Sequence, residues 1–98
     1  MEKNNQLLMQ LIYMFHTSAM QGLGKIADPT GRVSLNLEYV SQTIDLMEML
    51  KVKTKGNITD EIEKVLDEML SELYINYSDE KAKSDYKVGA ETKKQNDE

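Results

Sequence analysis

The sequence has no cysteine and no tryptophan, and only one proline, one phenylalanine and one histidine in 98 residues. Without cysteine there is no disulfide framework, no thiolate zinc site and no sulfur nucleophile. That absence fits the reducing cytoplasm, which is the expected location. A single imidazole has no second histidine or cysteine with which to share a metal. Positive charge is in short supply, with 12 Lys+Arg against 17 Asp+Glu and a net charge of −5. Nucleic-acid binding rests on cations that neutralise phosphates, so no nucleic-acid partner is expected. The amino terminus shows no basic segment leading into a short apolar run and a small-residue cleavage site, so no signal peptide is expected. No phosphate loop, dinucleotide fingerprint, serine elbow or zinc-protease motif occurs.

Charge is also absent locally. Residues 4–24 carry none over 21 positions, of which 11 are apolar. A spanning helix needs about 20 predominantly apolar residues. Gln6, Gln10, His16, Thr17 and Gln21 would lie in lipid at a cost, so no span is expected.

What is present is helical periodicity in three stretches, which predicts an all-α domain of about 78 residues: an apolar N-terminal helix followed by a helical hairpin. The first helix is expected over about Asn5–Leu23. At 100° per residue, Leu7, Leu8, Leu11, Ile12, Met14, Phe15, Ala19 and Leu23 cover half of its circumference. A second stripe holds Met9, Tyr13, His16 and Met20. Gly22 and Gly24 stop the helix. Asp28-Pro29-Thr30-Gly31 then has the residue order of a type I turn.

The second helix is predicted to begin after Asn36 as N-cap, with Leu35 and Val40 at hydrophobic-staple positions. Leu37, Tyr39, Val40, Ile44, Leu46, Met47 and Leu50 share its apolar half. Lys51, Lys53 and Lys55 favour its carboxyl end, and Gly56 caps it. The third helix starts near Thr59 with Asp60 and Glu61 in its first turn. Ile62, Val65, Leu66, Met69, Leu70, Leu73 and Tyr77 form its stripe. From Thr59 to Tyr77, Lys64 stands against six acids, a segment charge of −5. Eleven of the last 20 residues are charged, so residues 79–98 are expected to be a disordered tail following a 1–78 domain.

Chemistry is sparse. His16 borders the apolar arc and reads as a packed or solvent-edge residue. Glu61, Glu68 and Glu72 read as a solvated face, because they lack the loop spacing of a calcium site. Asp45 and Glu48 could pair carboxylates for acid–base work, but no neighbouring residue pattern forms a pocket around them. Lys51, Lys53 and Lys55 are accounted for by the helix dipole. No catalytic residue, metal or cofactor is therefore assigned, and the sequence argues against an enzyme.

The uncharged first helix is the informative feature. Two partner helices cover roughly half of it and leave Met9, Tyr13 and Met20 on the surface, and such patches mark interaction sites. A core of 78 residues is marginal alone. The expected function is a protein-interaction module that self-associates, with a two-fold dimer as the simplest form. Its candidate interface is Met9, Tyr13, Phe15 and Met20. An unidentified protein partner, or a membrane surface met by the same helix, are the alternative occupants.

The stretch from Thr43 to Thr59, TIDLMEMLKVKTKGNIT, resembles a bacterial family known as domain of unknown function number 1844. The resemblance extends to Leu23-Gly24 and to the Asp28-Pro29-Thr30-Gly31 turn, and covers about Leu7 to Tyr77. Its most specific part is Lys53 to Thr59. Members tend to end the third helix on Leu-Arg-x-Arg-Tyr. Here Leu73-Tyr74-Ile75-Asn76-Tyr77 lacks both arginines, so no role of theirs transfers. The resemblance implies a small bacterial, cytoplasmic, helical domain, and no activity or cofactor.

Overall fold

Three segments of suitable periodicity become three helices: α1 (Lys3–Gly22), α2 (Leu37–Thr54) and α3 (Asp60–Asn96). The structure is a computed structural model that describes residues 2–96, with side chains over 2–85. Among the described residues there is no strand. Leu35 meets Leu23 only in an isolated antiparallel bridge.

α1 ends in a Schellman motif. Lys25 N–H donates to Met20 O at 3.0 Å and Gly24 N–H to Gln21 O at 3.1 Å. The motif needs a left-handed residue, which Gly24 supplies at φ 74°. The loop is then held from Asp28, whose Oδ1 accepts from Thr30 N, Thr30 Oγ1 and Arg32 N at 2.9, 2.5 and 3.0 Å. These bonds, the Thr30 hydroxyl first, hold the Asp28 carboxyl below its ordinary pKa.

α2 starts as its sequence requires: Asn36 Oδ1 accepts from Tyr39 N at 3.1 Å. It ends at Thr54, with Gly56 in the left-handed region at φ 81° just beyond. Thr59 Oγ1 accepts from Ile62 N at 3.3 Å at the head of α3.

Ile12, Val40, Met47, Ile62, Leu66 and Leu73 are fully buried, with Ala19, Leu23, Ile44 and Leu70 completing the core. Each helix touches the other two. The hairpin between α1 and α2 is tight because Gly22 allows it: a Cβ there would lie 2.7 Å from Val40 Cγ2.

Two features differ from the periodicity reading. α3 does not stop near Tyr77 but continues, and residues 79–85, assigned above to the tail, are helical. Glu80 is their anchor. It lies 3.3 Å from Lys25 Nζ and 3.5 Å from Lys83 Nζ, and the Lys25 ammonium is the main reason its pKa is lowered. The side chains of the remaining tail residues, 86–98, lie outside the described residues. The second difference is the roll of α1. Its buried face centres on Ile12 and Ala19 rather than on Leu11 and Phe15, a rotation of roughly 70° at 100° per residue. The small residues Ala19 and Gly22 admit neighbours closely, so they turn inward and Leu7, Leu11 and Met14 turn out.

Candidate functional site

The roll of α1 decides which apolar side chains stay on the surface. Of the four residues expected at an interface, Met9, Phe15 and Met20 pack against the hydrophobic core. Tyr13 remains about half exposed. The side of α1 that carries His16 and Met20 turns toward α3, where His16 Nε2 lies 3.3 Å from Glu72 Oε2. The side that carries Gly22 turns toward α2. Beyond it, Leu7, Leu11 and Met14 form an outward row, exposed by 51, 37 and 60%.

α2 contributes a second row beside the first. Its side toward α3 carries Glu48 and Lys51, which contact Tyr74 and Asp67. Its side toward α1 carries Tyr39, whose ring would lie 3.3 Å from a Cβ on Gly22. On that outer side Tyr39, Leu46 and Met49 are exposed by 43, 44 and 43%. Periodicity had assigned Tyr39 and Leu46 to the inside. The signal that distinguishes them is spacing: Leu7, Leu11, Met14 and Ser18 follow a 4-3-4 rhythm, and the exposed Tyr39, Gln42, Leu46 and Met49 follow a 3-4-3 rhythm. That rhythm is a heptad edge rather than a second half of one core. Because α3 packs on the opposite side of both helices, the two rows lie on one largely apolar surface; the α1 row carries no charge and the α2 row carries only Lys53, in its last turn.

A shallow groove of about 720 Å³ runs nearby, lined wholly by α1 side chains including Met9, Tyr13 and Met14. Walls from a single helix make it surface relief, not a cavity between elements.

A second, polar cleft of about 460 Å³ lies between α2 and α3. Lys51 Nζ approaches Asp67 Oδ1 to 2.6 Å, and the carboxylate holds the ammonium above its ordinary pKa. Asp67 Oδ1 is itself shielded from solvent with no aligned hydrogen bond, so the contact is an ion pair. Tyr74 Oη donates to Glu48 Oε1. That bond, with burial adding to it, pushes the phenol up to about 12. Asp45 adds only a weaker electrostatic push on the same phenol. Glu48 is thus engaged as an acceptor, and it is not paired with Asp45 for proton transfer. Among the described residues, no group of three His, Asp or Glu side chains lies together as a metal site.

The Tyr74 bond has a pH signature. The folded pKa lies above the ordinary 10.0, so the bond's contribution is complete below pH 10 and is lost as pH climbs through about 12. An ultraviolet absorbance titration should show a late tyrosinate step near pH 12 that Tyr74→Phe removes and Glu48→Gln shifts to lower pH. A wild-type curve without that step would mean the bond does not form in solution.

The fold and surface define a small all-α domain of three helices with one uncharged apolar edge and no helix long and apolar enough, among the described residues, to cross a membrane. The chain belongs to the family described as Domain of unknown function (DUF1844), which matches residues 5–79. No curated protein and no solved structure matches it.

Proposed function

We propose that this protein is a cytoplasmic helical interaction module that self-associates, as a two-fold dimer, through the uncharged outer edge of α1; its role is binding rather than catalysis. The observation that carries this reading is the exposure of Leu7, Leu11 and Met14 on a helix with no charge between Asn4 and Gly24. A soluble helix normally turns charge outward where it turns away from its core. A second copy is the occupant that fits. The edge faces away from α3, whose stretch from Thr59 to Tyr77 carries −5, so two copies can meet with their acidic helices far apart. An anionic membrane fits less well, because the edge offers no Lys or Arg to the headgroups.

The test is solution mass of the full chain by size exclusion with light scattering over a range of concentrations. A dimer is expected, and Leu7→Glu/Met14→Glu should convert it to monomer with the far-UV circular dichroism still helical, since both side chains are exposed. A wild-type chain that stays monomeric throughout overturns the reading. Pelleting of that monomer with anionic vesicles would assign the edge to lipid instead.

A further inference from the structure

We propose that α2 supplies half of the self-interface, so that two α1–α2 hairpins close into a four-helix bundle with the α3 helices on its outside. The inference rests on the self-association reading above and specifies the geometry of that same surface.

Area is the first argument. A fully exposed large side chain presents ~200 Å², so the half-exposed Leu7, Leu11 and Met14 offer on the order of 300 Å². A stable interface takes about 800 Å² from each partner. The α1 edge alone falls far short. Tyr39, Leu46 and Met49 double the apolar area to on the order of 600 Å², and the polar rim of such a surface supplies the remainder.

Spacing is the second. α1 and α2 run antiparallel, because Gly22 at the end of one adjoins Val40 at the start of the other. Their outward rows therefore lie side by side, and both have heptad spacing, 4-3-4 along Leu7, Leu11, Met14 and Ser18 and 3-4-3 along Tyr39, Gln42, Leu46 and Met49. Side chains in that rhythm interdigitate with a facing helix at a shallow crossing angle of about 20°, the packing of four-helix bundles. A single such row fits one partner helix. Two adjacent antiparallel rows fit a second pair of the same kind. A two-fold axis through the middle of the face brings each row onto its counterpart, so one surface is its own complement.

Charge is the third. Glu48 and Lys51 of α2 turn toward α3, and Glu38 and Asp45 flank the row beyond Met49; Lys53 ends the row in the last turn of α2, where its long side chain reaches solvent at the rim of the closed face, so closure buries no unpaired charge.

The deciding experiment measures dimer dissociation of the full chain for Leu46→Glu on α2 and for Ile75→Glu on the outer side of α3, where Ile75 is 65% exposed. A two-fold interface counts each substitution twice. Leu46→Glu should raise the dissociation constant by roughly 100-fold or more, while Ile75→Glu leaves it unchanged. Leu46→Gln, with no added charge, should weaken the dimer in the same direction should the glutamate disturb folding. If Leu46→Glu and Leu46→Gln stay as dimeric as wild type while Leu7→Glu/Met14→Glu dissociates, α1 alone forms the interface and this inference fails, though self-association stands. If wild type itself never dimerises, the self-association reading fails and this inference falls with it.

Discussion

Ile12→Ala should lower the unfolding free energy by on the order of 3 kcal/mol, within the range of ~2–5 seen when a large aliphatic core side chain is cut to alanine. The reason it should be severe is the composition of the α1 inner face. The buried residues of α1 are Ile12, Ala19 and Gly22. Two of the three have almost no side chain, so Ile12 is the one large, fully buried group that anchors α1 to the other helices. A domain of this size holds ~5–15 kcal/mol in all. A loss near 3 kcal/mol should depress the melting temperature by roughly 12–24 °C, measured at fixed protein concentration because the self-association proposed above would add its own stabilisation. Met14→Ala, on the exposed row of the same helix, should change the melting temperature of the Leu46→Glu chain, the variant expected to weaken the proposed dimer, by no more than a few degrees. Equal losses at the two positions would show that α1 is rolled differently from the structure.

The second large effect concerns the place where α1 and α2 approach most closely. Gly22→Ala puts a methyl 2.7 Å from Val40 Cγ2, with Tyr39 Cδ2 at 3.3 Å. Overpacking of that kind costs about 1–3 kcal/mol. Alanine's better helix propensity offsets up to ~1 kcal/mol at this helix-terminal position, leaving a net loss of about 1–2 kcal/mol. Val40→Ala, at a fully buried position, should cost about 2 kcal/mol on its own. Combined, the two should cost less than their sum by about 1 kcal/mol, because removing Cγ2 makes room for the new methyl. Denaturant melts of the four chains measure this coupling. Strict additivity would mean the helices do not meet at Gly22.

Much of the local structure was legible in the residues. Asn36 is the N-cap of α2, Gly24 and Gly56 take left-handed conformations just past α1 and α2, and acids open α3, each for reasons confined to one turn of chain. The stripe of α3 was legible too, since Ile62, Leu66, Leu70 and Leu73 are buried as their period requires. The end of α3 was not. Charged residues 79–85 have no apolar period, yet they continue the helix, and Glu80 there meets Lys25 from a loop 55 positions earlier in the chain. A contact at that separation leaves no mark on local composition.

The uncharged edge stands between these cases. Lack of charge from Asn4 to Gly24 pointed to α1, and α1 does carry exposed apolar side chains. A helix apolar over most of its circumference, however, does not state its own roll. Periodicity offers several arcs of similar hydrophobicity, and their difference is small beside the packing gained by bringing Ala19 and Gly22 against neighbours.

By itself the sequence determined the number and type of the helices, their starts, the turn at Asp28, the acidity of α3 and the presence of an uncharged helix, because each follows from interactions among residues a few positions apart. Only the tertiary structure decided that Met9, Phe15 and Met20 pack against the core while Leu7, Leu11 and Met14 of α1 and Tyr39, Leu46 and Met49 of α2 stay exposed, and that Glu48 meets Tyr74. Those outcomes depend on how closely α1 can approach α2 at Gly22, a distance that no single helix contains.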